Sequence, residues 1–362
     1  MKCADEFRSR DITGPLIDEL QASISRPVRI MEVCGTHTMS IFKYGIRSLL
    51  PDGITLLSGP GCPVCVTPAS HIDAFINAAE LPDVLVATFG DLIRVPGSHQ
   101  SLAEVRSKGA RVEIVYSPMD GLKMAMEHPD KSVLFPAIGF ETTAPTIAAT
   151  VLQAEKLELS NFYIISAGKT MPEPLNLLMS DPELKVDGLL CPGHVSAIIG
   201  AQAYQPLVDN YGLSCAVAGF EPADILAGIL SIIRQQNTRQ PKVANCYTRA
   251  VTEAGNERAQ QLIDQVFEAE DSEWRGLGTI PGSGLKLRPR YEKFDGMKAF
   301  ALTTKPAPEP KGCKCGEILK GLTLPPDCPL YGTRCTPLHP VGPCMVSSEG
   351  TCAAYHRYSG KN

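Results

Sequence analysis

Short apolar runs alternate with longer amphipathic stretches over the first 240 residues, the pattern of parallel strands joined by crossover helices. VRIMEV (28–33), ITLL (54–57), DVLVATF (83–89) and RVEIVY (111–116) are the first set of predicted strands. VLFPAI (133–138), NFYIIS (161–166), GLLC (188–191) and SCAVAGF (214–220) are the second. Helices are expected over 68–80, 142–158 and 222–236, each entered through Thr, Ser, Pro or Asp at a cap position. Gly139-Phe140-Glu141 and Gly219-Phe220-Glu221 each close a predicted strand, but three shared residues do not establish a duplication. Past Gln240 the alternation stops. From Pro306 to Pro343 the chain is rich in Pro, Gly and Cys and lacks the apolar content for a core of its own, so a bound metal or cluster is expected to supply the cross-links.

Composition fits this α/β reading. A chain of 362 residues with 44% hydrophobic and 20% charged residues is that of a globular protein of two or three units. A net charge of −5 and the lack of a basic run exclude a broad nucleic-acid surface. The start, MKCADEFRSRD, is charged and lacks a signal peptide's apolar stretch, so a cytoplasmic location is expected. The longest uncharged run, Gly188 to Val208, approaches membrane-spanning length but carries Pro192, His194, Gln202, Gln205 and Pro206, and reads as buried strand, loop and helix. Thirteen cysteines in such a chain point to metal or redox chemistry rather than to a disulfide framework.

Cys34 follows the first strand in CGTHT, just before a helical run that starts near Thr38. Ligands of open parallel sheets bind at such carboxyl ends, and a helix dipole there gives a thiol the thiolate character of a nucleophile or soft-metal ligand. A lone cysteine is more often a small buried apolar residue, but Gly35 and His37 beside this one favour function. The second strand runs into SGPGCPVC, where Cys62 and Cys65 are spaced for a reversible disulfide or for two ligands to one metal, with a following helix at about Pro68 to lower one pKa. Glu141 with Thr142 and Thr143, and His194 with Ser196, stand at two further strand ends. Each could serve a proton transfer, or could be a helix cap or a hydrogen-bonded core side chain. Neither a G-x-G-x-x-G nor a P-loop pattern is present. The last fifth of the chain holds Cys313, Cys315, Cys328, Cys335, Cys344 and Cys352, with His339 nearby. Their uneven, Cys-dominated spacing suits an iron–sulfur cluster, with a Cys-rich zinc loop as the other reading.

CGTHT (34–38), GPGCPVC (59–65), GFETT (139–143), PGHVS (192–196), CGEILKG (315–321) and MVSSEGTCAAYHRY (345–358) together resemble the motifs of the hydrogenase maturation HypD family. FGDLIRVPG (89–97), YSPMDGLK (116–123), AGFEPADIL (218–226) and DSEWRGLG (271–278) extend the likeness over nearly the whole chain. The resemblance implies two similar parallel-sheet α/β domains facing a cleft, plus a Cys-rich C-terminal domain holding a [4Fe–4S] cluster. On this chain they are expected at 1–130, 131–240 and 241–362. It implies a maturation scaffold for a nickel–iron hydrogenase, on which iron receives cyanide and carbonyl ligands. HypC would be the small partner, HypE with HypF upstream the cyanide donor, and the hydrogenase large subunit the recipient. It further implies Cys34 as iron ligand, with His37 beside it, Cys62 and Cys65 as a redox pair, and Glu141 and His194 lining the cleft. Cys315, Cys328, Cys335 and Cys352 are its cluster ligands, with Cys313 and Cys344 as less typical substitutes. Where the family more often has GACAAYY this chain has GTCAAYH, a change at Thr351 and His356 that leaves Cys352 in place. An iron–sulfur thiol–disulfide oxidoreductase acting on a protein is the competing function, since it explains the cluster and the C-x-x-C but leaves Cys34 idle. A zinc-stapled binding module is a third.

Overall fold

The computed structural model of the chain describes residues 6–305 and 307–359. Part of the charged N-terminal stretch and Pro306, which opens the Cys-rich segment, lie outside these residues. All eight apolar runs form strands: β1 (Val28–Glu32), β2 (Ile54–Ser58), β3 (Val84–Thr88), β4 (Arg111–Ile114), β5 (Ser132–Gly139), β6 (Phe162–Gly168), β7 (Gly188–Pro192) and β8 (Ser214–Ala218). The expected helices appear as Ala69–Ala79, Ala144–Lys156 and Pro222–Thr238. The run from 188 to 208 resolves into β7, the helix Gly193–Ile199, a turn of 3-10 helix at Ala201–Tyr204 and the start of the helix Gln205–Tyr211. Among the described residues no helix is long and apolar enough to cross a membrane.

Three strands follow that the apolar pattern did not reveal: β9 (Val243–Asn245), β10 (Phe267–Trp274) and β11 (Gly278–Leu287). β10, FEAEDSEW, alternates between more and less buried positions, but mainly through Glu, Ala and Ser rather than Val or Ile. It forms an antiparallel hairpin with β11, and a bridge from Gly284 to Lys169 lays that hairpin beside β6. Packing on an existing sheet replaces the side-chain signal that a free-standing strand would need.

The strands do not sort into sheets in chain order. One sheet has the order β2-β1-β7-β8-β9 and the other β4-β3-β5-β6, with every pair parallel. The second sheet is therefore inserted between β2 and β7 of the first, and a boundary at 130 cuts through the inserted unit. Core contacts also cross the expected division at 240. Ile263, Val266, Phe267 and Leu285 join Phe135 and Phe162 in the core of the second sheet, whereas the tail cysteines pack with Met31, Leu57, Cys62 and Cys65 of the first. Local apolar pattern identifies strands but carries no record of which sheet each one enters.

Both sheets are covered on both faces, which is why their strands read as nearly continuous apolar runs. Along β1, Val28 and Ile30 enter one core while Met31 and the following Val33 enter the other. Along β5, Val133 and Phe135 alternate with Leu134 in the same way. In each sheet the order reverses beside its first strand, between β1 and β7 and between β3 and β5. Such reversals open a crevice at the carboxyl ends.

Candidate functional site

Cys34 leaves β1 in extended conformation as the N-cap of the helix Gly35–Lys43, so that helix starts three residues before Thr38. The loop after β2 lies directly on it. The Gly35 N–H donates to the Gly61 carbonyl at 3.1 Å, and a Cβ at Gly61 would stand 2.3 Å from the Cys34 nitrogen, so no other residue fits there. On the far side a Cβ at Gly35 would meet the Glu349 side chain at 2.4 Å. Cys34 is thus held between two glycine contacts and is 7% exposed.

Glu32, a carboxyl in an otherwise apolar strand, lies beneath this loop. Its Oε1 accepts the Thr38 hydroxyl at 2.6 Å and its Oε2 the Cys34 N–H at 3.4 Å, while burial pushes its pKa up to about 7. Burial, followed by the neighbouring Glu349 carboxylate, pushes the Cys34 thiol up to about 12, and the first-turn amides of His37 and Thr36 pull the other way without prevailing. The thiolate character expected from the helix dipole is therefore overridden by desolvation. Cys34 is a neutral thiol that a metal must deprotonate in order to bind.

Cys62 and Cys65 are paired as a disulfide across the helix Pro63–Val66, with Cα atoms 5.2 Å apart. This helix begins well before the one anticipated at Pro68. Cys62 is its N-cap, and its Sγ accepts the Cys65 N–H at 3.2 Å. Cys65 is fully buried.

His37 and His194 come together through Phe220, whose ring lies 4.8 Å from the first and 3.9 Å from the second. Nε2 of the buried His37 donates to the Gly219 carbonyl at 2.9 Å. Its Nδ1 is buried without a partner among the described residues, and burial lowers its pKa to about 4. His194 is exposed on one side. Glu141 belongs to the other sheet. Its Oε1 accepts the Met171 N–H at 2.8 Å and its Oε2 is buried without a partner among the described residues, while burial raises its pKa to about 7. Glu141 and Cys34 both lie within electrostatic reach of the buried Tyr204, whose hydroxyl is 3.1 Å from that of Ser196.

The tail closes over the first sheet. Cys313, Cys315, Cys328, Cys335, Cys344 and Cys352 line one cavity with Ile318, Leu330, Tyr331 and Met345. Five of these thiols are buried and Cys313 is half-buried. Cys344 is within hydrogen-bonding reach of both Cys315 and Cys352, which holds its pKa below the ordinary thiol range. Among the described residues no three His, Cys, Asp or Glu side chains converge tightly enough for a single metal ion. Thiols spread around a cavity suit a polynuclear group, whose irons take one ligand each. Arg275 supplies a second sign of fit. It is 3% exposed, its Nε donates to the Thr67 carbonyl at 3.1 Å, it lies within electrostatic reach of Cys315, and its Nη2 has no partner among the described residues. An anionic cluster beside Cys315 would answer that orphaned donor.

The residues between two of these cysteines reach the other thiols. The Thr36 hydroxyl donates to Glu349 Oε1 at 2.6 Å, the Ser347 hydroxyl stands 3.3 Å from Cys62 Sγ, and Asp91, after β3, accepts from Ser348 at 2.8 Å. Residue chemistry alone had not singled out Glu32, Asp91, Ser347 or Glu349. A charge within an apolar run was the available signal for Glu32. The other three were visible only inside motifs of family resemblance.

A model of the HypD family, described as the hydrogenase formation hypA family, matches residues 11–359. The chain is 44% identical to the hydrogenase maturation factor HypD of Azotobacter vinelandii over 99% of its own length and 97% of the relative's. It is also 44% identical to HypD of Escherichia coli strain K12, over 99% and 98% of the two chains. HypD of Cupriavidus necator is 41% identical over 99% and 97%.

Two outcomes follow from this geometry. Glu141 rises from 4.5 to about 7 on folding, so the native state holds an extra proton between those values. The cost of its burial is absent below pH 4.5 and complete above pH 7. Glu141→Gln is therefore expected to stabilise the protein by about 3 kcal/mol at pH 8 and to change little at pH 4, read from urea midpoints. Equal midpoints at pH 8 would contradict the burial argument. If the tail cavity holds an iron–sulfur cluster, Cys315→Ala and Cys352→Ala are expected to lose more than about half of the bound iron and sulfide, because a cluster needs four thiolates. Cys313→Ala should retain both, and the reverse ranking would show that the rim thiol is a ligand.

Proposed function

The chain belongs to the HypD family, and from that premise we propose that it is the scaffold on which the iron destined for a nickel–iron hydrogenase receives its cyanide and carbonyl ligands. The iron is cargo, and Cys34 is the thiol that takes it, in a complex with a HypC-type small chaperone. HypE, supplied by HypF, delivers cyanide, and the hydrogenase large subunit receives the finished group through the chaperone. The observation that carries this reading is the meeting of three thiol sites. The segment joining Cys344 to Cys352 touches the Cys34 loop through Glu349 and Cys62 through Ser347.

Each part of the chain has a separable role. Cys34, neutral until metal binds, must lose its proton as the iron–sulfur bond forms, and Glu349 and Glu32 are the nearby carboxylates able to accept it. Burial keeps water from competing for the iron. The Cys62–Cys65 disulfide takes up two electrons and two protons when it opens to a dithiol, so it can store a reducing pair beside the cargo. Four of the tail thiols, with Cys315, Cys328, Cys335 and Cys352 as the family-like set, would hold a [4Fe–4S] cluster, which would supply electrons singly when bound. Arg275 ties that cavity to the pair: its N–H donates to the Val66 carbonyl at 2.8 Å while its guanidinium lies within reach of Cys315. His37 and His194, joined through Phe220, offer a proton donor or acceptor at the same sheet end.

Infrared spectra of the protein purified anaerobically with its small partner are expected to show cyanide and carbonyl stretching bands in wild type and none in Cys34→Ala. Bands that persist in the variant would remove Cys34 from the iron. Bands missing from wild type would leave the thiol–disulfide oxidoreductase as the function.

A further inference from the structure

Cys62 and Cys65 are not equivalent. Cys62 Sγ accepts the Cys65 N–H at 3.2 Å and lies 3.3 Å from the Ser347 hydroxyl oxygen. Among the described residues no hydrogen bond reaches Cys65 Sγ. Ser347 is itself 1% exposed and tightly placed. Its oxygen accepts the Glu349 N–H at 3.2 Å, which leaves its proton two acceptors, Cys62 Sγ and Asp91 Oδ2 at 3.5 Å. Asp91 does not depend on that proton, because the same oxygen also takes the Ser348 N–H at 3.2 Å and the Ser348 hydroxyl at 2.8 Å.

We propose that Ser347, carried by the cysteine-rich tail, is a functional residue of the Cys62–Cys65 pair, its hydroxyl turning from Asp91 to Cys62 on reduction and so making Cys62 the sulfur that holds the negative charge. A disulfide sulfur is a poor acceptor, so in the oxidised pair the hydroxyl favours the Asp91 carboxylate. A thiolate is a strong one, and on reduction the hydroxyl reorients toward it. The groups facing Cys62 make this donor matter. Asp91 and Glu349 lie behind Ser347, Cys34 lies across Gly61, and Cys65 lies along its own helix, so no cation among them balances a thiolate. Asp91 acts through Ser347 and is a positioning residue.

With a small dithiol as reductant the step balances. The Cys62–Cys65 bond breaks and the reductant closes to its own disulfide, giving up two electrons and two protons. Cys65 keeps one proton as a thiol, Cys62 is left as a thiolate, and the second proton passes to solvent.

The inference rests on the redox reading of this pair but involves neither iron cargo nor a partner protein, so the infrared experiment can fail without touching it. The full chain is reduced anaerobically with a dithiol, freed of reductant and alkylated with iodoacetamide across a pH series, with labelling at each cysteine read by mass spectrometry. Cys62 is expected to react before Cys65. Ser347→Ala should raise the pH midpoint of Cys62 labelling by about one unit, a roughly tenfold loss of thiolate at neutral pH, and Ser347→Thr should restore it. Asp91→Asn, which removes the competing charge but keeps the serine, should move the midpoint down. An unchanged midpoint in Ser347→Ala, or faster labelling of Cys65, overturns the proposal. If Ser347→Ala does not retain the fold, Asp91→Asn decides, and an unmoved midpoint there overturns it equally.

Discussion

Three stretches of backbone meet around Cys34 with no room between them, and this contact organises the rest of the site. A Cβ at Gly61 would collide with the Cys34 main chain, and one at Gly35 with Glu349. Glycine is therefore required on both sides of the thiol, where backbones approach to bonding distance. The same contact removes water, and desolvation then sets the chemistry: a neutral Cys34, a Glu32 raised to about 7 and a His37 lowered to about 4. At neutral pH Cys34 and His37 are uncharged and Glu32 is poised near its midpoint.

The two sheets share the strand order second-first-third-fourth, and this likeness lies in topology rather than in residues. After the first strand of each come Cys34 and Asp91, and after the third come His194 and Glu141. The repeated Gly-Phe-Glu is not a mark of this kinship, since it follows the third strand of one sheet and the fourth of the other. Its two glutamates differ accordingly: Glu141 is buried, whereas Glu221 caps the helix Pro222–Thr238 and pairs with Arg8. The tail touches the first-strand loop of both sheets, through Glu349 to Thr36 and through Ser348 to Asp91.

Much of this was legible from the chain, for identifiable reasons. A strand covered on both faces must be apolar throughout, so β1 to β8 announced themselves, and cysteines at strand ends pointed to the sheet edge where ligands bind. What stayed hidden depends on long-range contacts. The insertion of one sheet into the other leaves no local trace, and β10 is too polar to stand out. The state of Cys34 was misread because proximity to a helix N-terminus can be seen in sequence whereas depth of burial cannot. Ser347 stood out only inside a family-like motif, and the fold brought it to a sulfur 285 positions away.

If the cysteine-rich tail and the two thiol loops form one unit, hydrogen exchange will show it. Amide exchange is compared between the iron-loaded full chain and the same chain stripped of iron by a chelator. Amides 35–40 and 62–66 are expected to lose protection together with 344–352, because Glu349 and Ser347 can no longer hold them. Loss confined to 313–352, with the Cys34 and Cys62 loops unchanged, would show that the tail is a separate module and would contradict the single unit.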